Sequence, residues 1–243
     1  MSYTTYMKSI RLAIFDIDGT IFRSSLVIEL VRALVAHGIF PKEADKEVQK
    51  EYLAWLDRKG SYTDYINKVV KIYIEYIAGK SSARVFHIAR SVIRAQKDRV
   101  YRFTRDLIKK LKKQKYFLVA ISGSPSYIVA DYARAIGFNK FFGTEMEVVG
   151  GRFTGKVLNV DPAFNKKKVL MDFILSRKIK VDWKQSIAVG DTESDVAMLT
   201  LVGRPIAFNP NHQLAKIAKH RKWKIVVERK DVVYEVKKFT FVI

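Results

Sequence analysis

A short apolar run at residues 10–15 ends in the sequence Asp16-Ile17-Asp18-Gly19-Thr20. A run of this length that is closed by acidic residues and a glycine is typical of a strand buried in a sheet. Because side chains alternate along an extended chain, Asp16 and Asp18 are expected to point the same way. The sequence therefore predicts a buried strand with two carboxylates at its carboxyl end.

Further apolar runs of strand length follow in the second part of the chain, and segments with helical spacing lie between them. The predicted strands are 116–121, 186–189, 205–208 and 224–227, and the predicted helices are 103–114, 126–136, 166–177, 195–201 and 213–222. A hairpin is predicted at 145–157, and the loosely alternating residues 232–243 suggest an edge strand. This alternation predicts an α/β fold with a Rossmann-like, doubly wound parallel sheet.

Residues 24–99 differ from the rest because apolar residues recur there at helical spacing. Breaks at 38–41, 60–61 and 79–82 divide this stretch into four predicted helices. Helices of this length can form a small bundle. We therefore predict an all-helical cap domain at 22–100, inserted into a Rossmann-like catalytic core made of 1–21 and 101–243.

The length and the amino-acid composition limit the kinds of protein that this chain can be. The 243 residues, 49% of them apolar, suit one large domain or a core with one insert. No apolar run reaches the roughly 18 residues of a membrane span, and residues 1–8 lack the pattern of a signal peptide. The absence of cysteine excludes disulfides, thiolate metal ligands and a cysteine nucleophile. A cytoplasmic location fits these features, and the oligomeric state is left open.

The charge is strongly basic, because 45 Lys and Arg face 24 Asp and Glu and give a net charge of +21. Such a surface attracts anionic substrates and polyanions, and salt weakens the attraction. The excess is scattered along the chain, with runs at 109–115, 166–168 and 216–224, and no arginine–aromatic nucleic-acid motif is present. Nucleic acid is therefore a possible partner, but it is not favoured over a small phosphorylated substrate.

A second acidic cluster follows another predicted strand. Asp191 and Asp195 are four residues apart, a spacing that is expected to bring them to one face of a helical first turn. Since the carboxyl ends of parallel strands meet at one edge of a sheet, both clusters should lie close together. Neighbouring carboxylates repel unless a cation shares the site, and hard oxygen ligands suit Mg²⁺.

Two further clusters indicate an anion site. Ser122-Gly123-Ser124-Pro125 follows a predicted strand and precedes a helix, where a hydroxyl and backbone N–H groups can hold an anion. Lys166 lies at or near a helix start and offers a point charge suited to phosphate. Lys167 and Lys168 leave the identity of this lysine open by one or two positions.

Taken together in this order, the four clusters resemble the four motifs of the haloacid dehalogenase superfamily, and the resemblance covers nearly the whole chain. The helical insert of about 80 residues between the first two motifs is similar to that of the phosphoserine-phosphatase-like branch. The stretch 145–155, with Gly-Gly-Arg-Phe-Thr-Gly, and the stretch 201–210 resemble the same branch.

The resemblance implies a Mg²⁺-dependent phosphatase, a phosphoric monoester hydrolase. Asp16 would be the nucleophile that forms an aspartyl phosphate. Asp18 would act as general acid toward the leaving oxygen and then as base for water, with its backbone carbonyl as the metal ligand. Asp191 would complete the protein ligands of Mg²⁺ together with Asp16 and that carbonyl, and Asp195 would support the metal or orient the lysine.

The remaining implied roles concern the phosphoryl group. Ser122, the N–H of Gly123 and Lys166 would stabilise the charge on its oxygens. Phosphoserine phosphatases carry a substrate-binding glutamate seven residues after the second aspartate, where this chain has Ser25. Phosphoserine is therefore not the expected substrate, and a small phosphomonoester of another kind is. The alternatives are a phosphatase for nucleotide or nucleic-acid phosphates, a phosphotransferase, or a nucleic-acid-binding protein on the same scaffold.

Overall fold

The computed structural model of the protein describes residues 9–238, which contain one eight-stranded sheet and ten α-helices. The strands are β1 (Leu12–Phe15), β2 (Phe117–Pro125), β3 (Lys140–Val149), β4 (Arg152–Asn159), β5 (Ile187–Gly190), β6 (Arg204–Phe208), β7 (Lys224–Arg229) and β8 (Val232–Val236). The helices are α1 (Leu26–Ala36), α2 (Lys42–Leu56), α3 (Tyr62–Ile77), α4 (Ser82–Gln96), α5 (Arg102–Lys113), α6 (Ser126–Ile136), α7 (Asp161–Phe164), α8 (Lys166–Ser176), α9 (Val196–Leu199) and α10 (His212–His220).

The strand order is β4-β3-β2-β1-β5-β6-β7-β8, and the central strands run parallel. All four residues of β1 are fully buried, which matches its uninterrupted apolar sequence. In the sheet, β1 lies between β2 and β5. The chain first adds β2, β3 and β4 on one side of β1 and later adds β5 and the following strands on the other side, so the strand order reverses at β1. This switch point is where parallel α/β sheets place their functional loops. The predicted α/β class with an inserted helical cap is confirmed.

The two ends of the sheet differ from its parallel centre. β3 pairs parallel with β2 in its first part and then turns back into β4, so the predicted hairpin is confirmed, although its first strand starts earlier than expected. β8 pairs antiparallel with β7 and supplies the suggested edge strand. Residues 239–243 of that predicted stretch, like residues 1–8, lie outside the described part. The four-residue helix α7 was not predicted.

Helices α1 to α4 occupy the insert between β1 and β2. The chain enters and leaves the insert side by side, because the N–H of Arg23 donates to the carbonyl of Arg99 (3.0 Å) and that of Tyr101 to Ile21 (3.0 Å). A second attachment joins the α3–α4 loop to the β3–β4 hairpin, where Gly79 donates to Phe153 (2.7 Å). The apolar core runs without a break from the insert to the sheet. The exact domain boundaries stay a prediction.

None of the helices within residues 9–238 combines the length and the apolar character that a membrane span requires. The longest of them, α3, has 16 residues and carries an exposed polar face.

Candidate active site

The candidate site lies at the carboxyl edge of the three central strands. Asp16 directly follows β1, Gly190 ends β5, and Ser122 belongs to the last residues of β2. Each of these positions faces the same edge because β1 pairs parallel with both neighbours. The parallel pairing therefore brings three distant parts of the sequence together without any contribution from the insert.

A buried lysine joins two carboxylates at this edge. Lys166 Nζ donates to Asp16 Oδ1 (2.5 Å) and to Asp195 Oδ1 (2.5 Å), and the three residues are only 3%, 4% and 0% exposed. Burial lowers the pKa of Lys166, but the two carboxylates outweigh it and hold the pKa above its ordinary value. Lys166 therefore carries a charge, and it fixes the orientation of Asp16.

The start of α8 determines which of the three consecutive lysines enters the site. Asn165 caps this helix, because its side chain accepts the N–H of Lys168 (3.2 Å). Lys166 is thereby the first helical residue and points inward, whereas Lys167 is exposed and Lys168 pairs on the surface with Asp161 (2.6 Å). The structure thus brings Lys166 to the carboxylates and leaves the other two outside.

Asp195 is held by the backbone as well as by the lysine. Its Oδ2 accepts the N–H groups of Asp191 (2.9 Å) and Thr192 (3.1 Å). This capping turn, and not one face of a regular helix as expected from the spacing, brings Asp191 and Asp195 together. A Cβ on Gly190 would lie 2.4 Å from the Cγ of Asp195, so this approach requires glycine at position 190.

Asp191 is positioned by the first motif. Thr20 Oγ1 donates to Asp191 Oδ1 (3.0 Å), and the backbone of Gly19 has a φ of +81°, which favours glycine. A Cβ on Gly19 would lie 2.3 Å from Asp191 Oδ2. The Asp-x-Asp-Gly-Thr sequence therefore supplies a nucleophile candidate. It also holds the carboxylate of Asp191 in place, although Asp191 lies more than 170 residues further along the chain.

Asp18 belongs to a separate hydrogen-bond network. Its Oδ1 accepts the N–H of Leu26 (2.6 Å) at the start of α1, and its Oδ2 accepts the hydroxyls of Ser122 (2.5 Å) and Ser124 (2.9 Å). Ser124 in turn accepts the N–H of Val27 (3.1 Å). Asp18 thus connects the second motif to the first helix of the insert.

The position of Ser122 and Gly123 differs from the expectation in one respect. Both lie in the extended end of β2, and α6 starts only at Ser126, so they are not at a helix start. Pro125 explains the difference, because proline disfavours a helical conformation in the residue before it. An anion held here would meet the hydroxyl of Ser122 and extended backbone, without the favourable end of a helix dipole.

Three carboxylates form a group that could hold a metal ion. One oxygen from each of Asp16, Asp191 and Asp195 lies within 4.8 Å of the others. Asp16 Oδ2 is buried and has no hydrogen-bond partner among the described residues. Burial, partly opposed by Lys166, raises the pKa of Asp16 to about 7, and burial raises that of Asp191 as well. A divalent cation would satisfy the unpartnered oxygen and favour the charged forms, so these residues fit Mg²⁺.

One residue of the insert approaches the site without any signal in the sequence. Tyr62 begins α3, and burial together with the charges of Asp18 and Asp191 raises the pKa of its hydroxyl. The residue is still 39% exposed, and its ring packs against Trp55 and Tyr65 of the insert. Tyr62 lies more than forty residues from any motif, and only the packing of the insert reveals its position.

The position that corresponds to the substrate-binding glutamate is neutral. Ser25 caps α1 and is 2% exposed. Glu29 lies one turn further along the helix and is buried, but its carboxylate already accepts bonds from Ser24 (2.8 Å), Gln96 (3.1 Å) and Arg32 (3.4 Å). The carboxylate of Glu29 is therefore already engaged within the insert.

Comparison with known proteins also indicates a hydrolase. The model of the haloacid dehalogenase-like hydrolases matches residues 13–200, about three quarters of the chain. A phosphoserine phosphatase of Archaeoglobus fulgidus is 23% identical over 217 residues, which are 89% of this chain and 57% of that protein. The chain thus spans less than two thirds of that relative.

Solved structures share the fold. A protein of unknown function from Bordetella pertussis Tohama I has a TM-score of 0.71 and 22% identity, with 90% of this chain and 98% of the other covered. A phosphoserine phosphatase that carries an analogue of the phospho-aspartyl intermediate has a TM-score of 0.61 and 22% identity, with 92% and 96% covered. At this level of identity the likeness shows a common fold, a Rossmann-like core with a cap.

Proposed function

This chain belongs to the haloacid dehalogenase-like hydrolase family, in its phosphoserine-phosphatase-like branch, and we propose that it hydrolyses a small phosphomonoester with Mg²⁺ through an aspartyl phosphate on Asp16. The family and its phosphatase relatives indicate a phosphoric monoester hydrolase. The observation that carries the proposed mechanism is the buried Asp16, with one oxygen on Lys166 and the other without a partner.

The first step is a displacement at phosphorus. Asp16 attacks the phosphoryl group with one oxygen of its carboxylate, a bond forms between that oxygen and phosphorus, and the bond to the leaving oxygen breaks. Lys166 binds Oδ1 of Asp16 and so limits rotation of the carboxylate. Asp18 gives a proton to the leaving oxygen, for which it must release at least one of the hydroxyls that it now accepts.

The second step releases phosphate. Asp18 takes a proton from a water molecule, the water oxygen attacks the phosphorus of the aspartyl phosphate, and Asp16 leaves as a carboxylate. Ser122 can turn its hydroxyl from Asp18 to a phosphoryl oxygen, where Gly123 and Lys166 also contribute donors. Asp16, Asp191 and the carbonyl of Asp18, with support from Asp195, would hold Mg²⁺, and the ion would supply positive charge to the phosphoryl oxygens.

The insert has a proposed role in substrate selection. Tyr62 would border the leaving group, because the charges of Asp18 and Asp191 act on its hydroxyl and raise its pKa. Ser25 would meet the same group from α1, where it offers a hydroxyl and no charge. The substrate is therefore proposed to be a small phosphomonoester whose leaving group does not depend on a carboxylate at this position. A cytoplasmic location belongs to the same proposal.

The experiment that tests this function is a screen of the purified protein with Mg²⁺ against a panel of phosphomonoesters that includes sugar phosphates, nucleotides and phosphoserine. The best substrate is then used to trap phosphoenzyme, which should carry a hydroxylamine-sensitive phosphate on Asp16. Asp172→Asn, a change of an exposed aspartate on α8, is the matched control and should keep both turnover and trapping. Turnover without any phosphoenzyme on Asp16 would contradict the proposed mechanism.

A further inference from the structure

A basic groove lies between α5 and the edge of the sheet, apart from the candidate active site. Its cavity of about 890 Å³ is bordered by α5 on one side and by β6, β7 and β8 on the other. None of the residues that line it belongs to the four motifs. Six cationic residues line this basic groove: Arg102, Lys110, Arg204, Arg221, Lys222 and Lys224.

The charge of the basic groove is largely uncompensated. Asp106 is its only acidic lining residue, and that carboxylate already binds the neighbouring Arg105 (2.8 Å). Lys224 pairs with Glu235 (2.6 Å), but no carboxylate of residues 9–238 lies within ion-pair distance of Lys110, Arg221 or Lys222. Cations placed so close together repel one another, and a bound polyanion relieves that repulsion.

The size of the basic groove can be estimated from the helix and the strands that border it. Arg102 and Lys110 are eight residues apart on α5, which corresponds to about 12 Å along the helix. The distance from β6 to β8 spans two strand spacings, about 10 Å. A channel of this size admits several consecutive phosphates of one extended strand.

Aromatic rings accompany the cations. Trp223 lines the groove between Lys222 and Lys224, and the guanidinium of Arg221 lies 5.3 Å from the centre of its ring. Phe103 lines it from α5 and stacks on Phe208. Single-stranded nucleic acid binds where a positive groove follows the backbone and aromatic rings stack on bases. An acidic protein segment would use the cations but would have no need of the rings.

A second cavity extends the same surface. It measures about 550 Å³, shares Lys222, Trp223 and Lys224 with the first, and reaches Lys237 and Lys238 beyond β8. The two cavities meet at Trp223, so one strand could pass from α5 across the start of β7. The cations of the basic groove come from three separate parts of the sequence, around 102–110, at 204 and at 221–224.

We propose that the basic groove binds single-stranded nucleic acid. Binding here is independent of the proposed hydrolysis, because the groove and the motifs share no residue. The phosphates lie on the cations of α5 and of the turn before β7, and one base stacks near Trp223.

The test is a titration of fluorescent single-stranded oligonucleotides of about 20 nucleotides with the intact protein, read as anisotropy at several salt concentrations. Each phosphate contact on a single strand contributes about 0.7 to the slope of log K against log salt. Four to six contacts predict a slope of about −3 to −4, so binding weakens roughly a hundredfold between about 0.05 and 0.2 M salt.

Two variants separate the basic groove from the general charge. The groove variant Lys110→Glu/Arg221→Glu/Lys222→Glu should lose at least about tenfold in affinity and show a shallower salt slope. The control variant Arg84→Glu/Arg90→Glu/Arg94→Glu changes the net charge equally at exposed positions of α4 and should stay within about twofold of wild type. Both variants should keep wild-type kcat with a small aryl phosphate, which shows that each is folded.

Three outcomes would overturn the proposal. The first is the absence of binding at the lowest salt. The second is an equal loss in the groove and control variants, which would assign binding to the overall charge. The third is equal or tighter binding of poly-glutamate or of duplex DNA, since neither offers free bases for stacking. A failure of phosphatase activity in every variant and in the wild type would bear only on the proposed hydrolysis.

Discussion

Replacement of Lys166 by methionine should lower the stability of the protein, because it removes the cation that lies between two buried carboxylates. The ammonium of Lys166 lies 2.5 Å from both Asp16 Oδ1 and Asp195 Oδ1, and all three side chains are buried. Methionine keeps the length of the side chain but leaves two carboxylates facing each other without a cation. Removal of one partner from a buried ion pair costs about 3–5 kcal/mol of stability.

The pH dependence of this loss has a definite sign. In the wild type without metal, the pKa of Asp16 is raised to about 7, and the loss of Lys166 should raise it further. The folded variant then holds a proton that the unfolded chain has released, so its stability falls as the pH rises toward the new pKa. The slope is about 1.4 kcal/mol per pH unit for one proton, or roughly 2–3 kcal/mol between pH 7 and 9.

The measurement is urea unfolding of the metal-free protein at pH 7 and 9, with Lys167→Met as the matched control. Lys167 is the next residue of the same helix and is exposed, so its replacement should leave both the stability and its pH dependence close to those of the wild type. The reasoning is refuted if Lys166→Met and the control have the same free energy of unfolding at both pH values. A loss that does not grow with pH would show that Asp16 does not take up a proton in the folded variant.

Four further predictions concern activity. Asp16→Asn should reduce turnover of an aryl phosphate to below a few per cent while the protein stays folded, since an amide is no nucleophile; higher residual turnover would rule out the covalent step. EDTA should abolish activity and Mg²⁺ restore it, with Ca²⁺ a poor replacement because it takes more ligands at longer distances; full activity in EDTA would exclude a metal role for Asp191. Phosphoserine should be roughly tenfold to a hundredfold poorer than the best substrate, because Ser25 offers no charge to an amino group; a preference for phosphoserine would show that another residue of the insert binds it. Tyr62→Phe should raise KM by about tenfold with a smaller change in kcat if the hydroxyl binds the leaving group, whereas unchanged kinetics would remove Tyr62 from the site.

Much of the fold could be predicted from local patterns in the sequence. The apolar runs are short and end in glycine or polar residues, so the central strands were predictable to within a residue or two at most ends. Helix α6 has the predicted bounds, because Pro125 stops a helix from starting earlier and Gly137, with a φ of +80°, ends it. The predicted breaks between the helices of the insert fall where the structure has them, at glycine, proline and serine.

The arrangement of the site was predictable only in part. Parallel strands bring their carboxyl ends to one edge, so the clustering of Asp16, Ser122 and Asp191 follows from the order of strands and helices. The choice among three identical lysines depends on where α8 begins, and this depends on the cap at Asn165. The predicted helix 166–177 starts where α8 does, but the sequence alone did not show which lysine would point inward. The roles of these residues in catalysis stay predictions until they are measured.

Contacts between distant residues could not be predicted from the sequence. The charges of Asp18 and Asp191 act on Tyr62 only because α3 packs against α1 and α2, and the neighbours of Tyr62 in the sequence give no sign of this. The cations of the basic groove come from α5, from the start of β6 and from the turn before β7. A charge count along the chain shows scattered lysines and arginines, whereas the folded sheet gathers six of them around one cavity.

The protein as a whole is positively charged, whereas the candidate site is negatively charged. The long-range attraction of anions and the binding of a phosphate inside the site therefore have different electrostatic causes. The site contains four carboxylates around the single ammonium of Lys166, so a phosphate dianion that entered it alone would meet repulsion. A net charge of +21 draws anions toward the protein, but its effect fades within about 8 Å at physiological salt. At close range a pair of unit charges 4 Å apart still interacts with about 4 kcal/mol near a protein surface. The distant lysines therefore cannot offset the carboxylates, and a divalent cation between Asp16 and Asp191 can. Steering depends on the surface and is sensitive to salt, whereas charge compensation by a divalent cation would act inside the site and would be much less sensitive to salt.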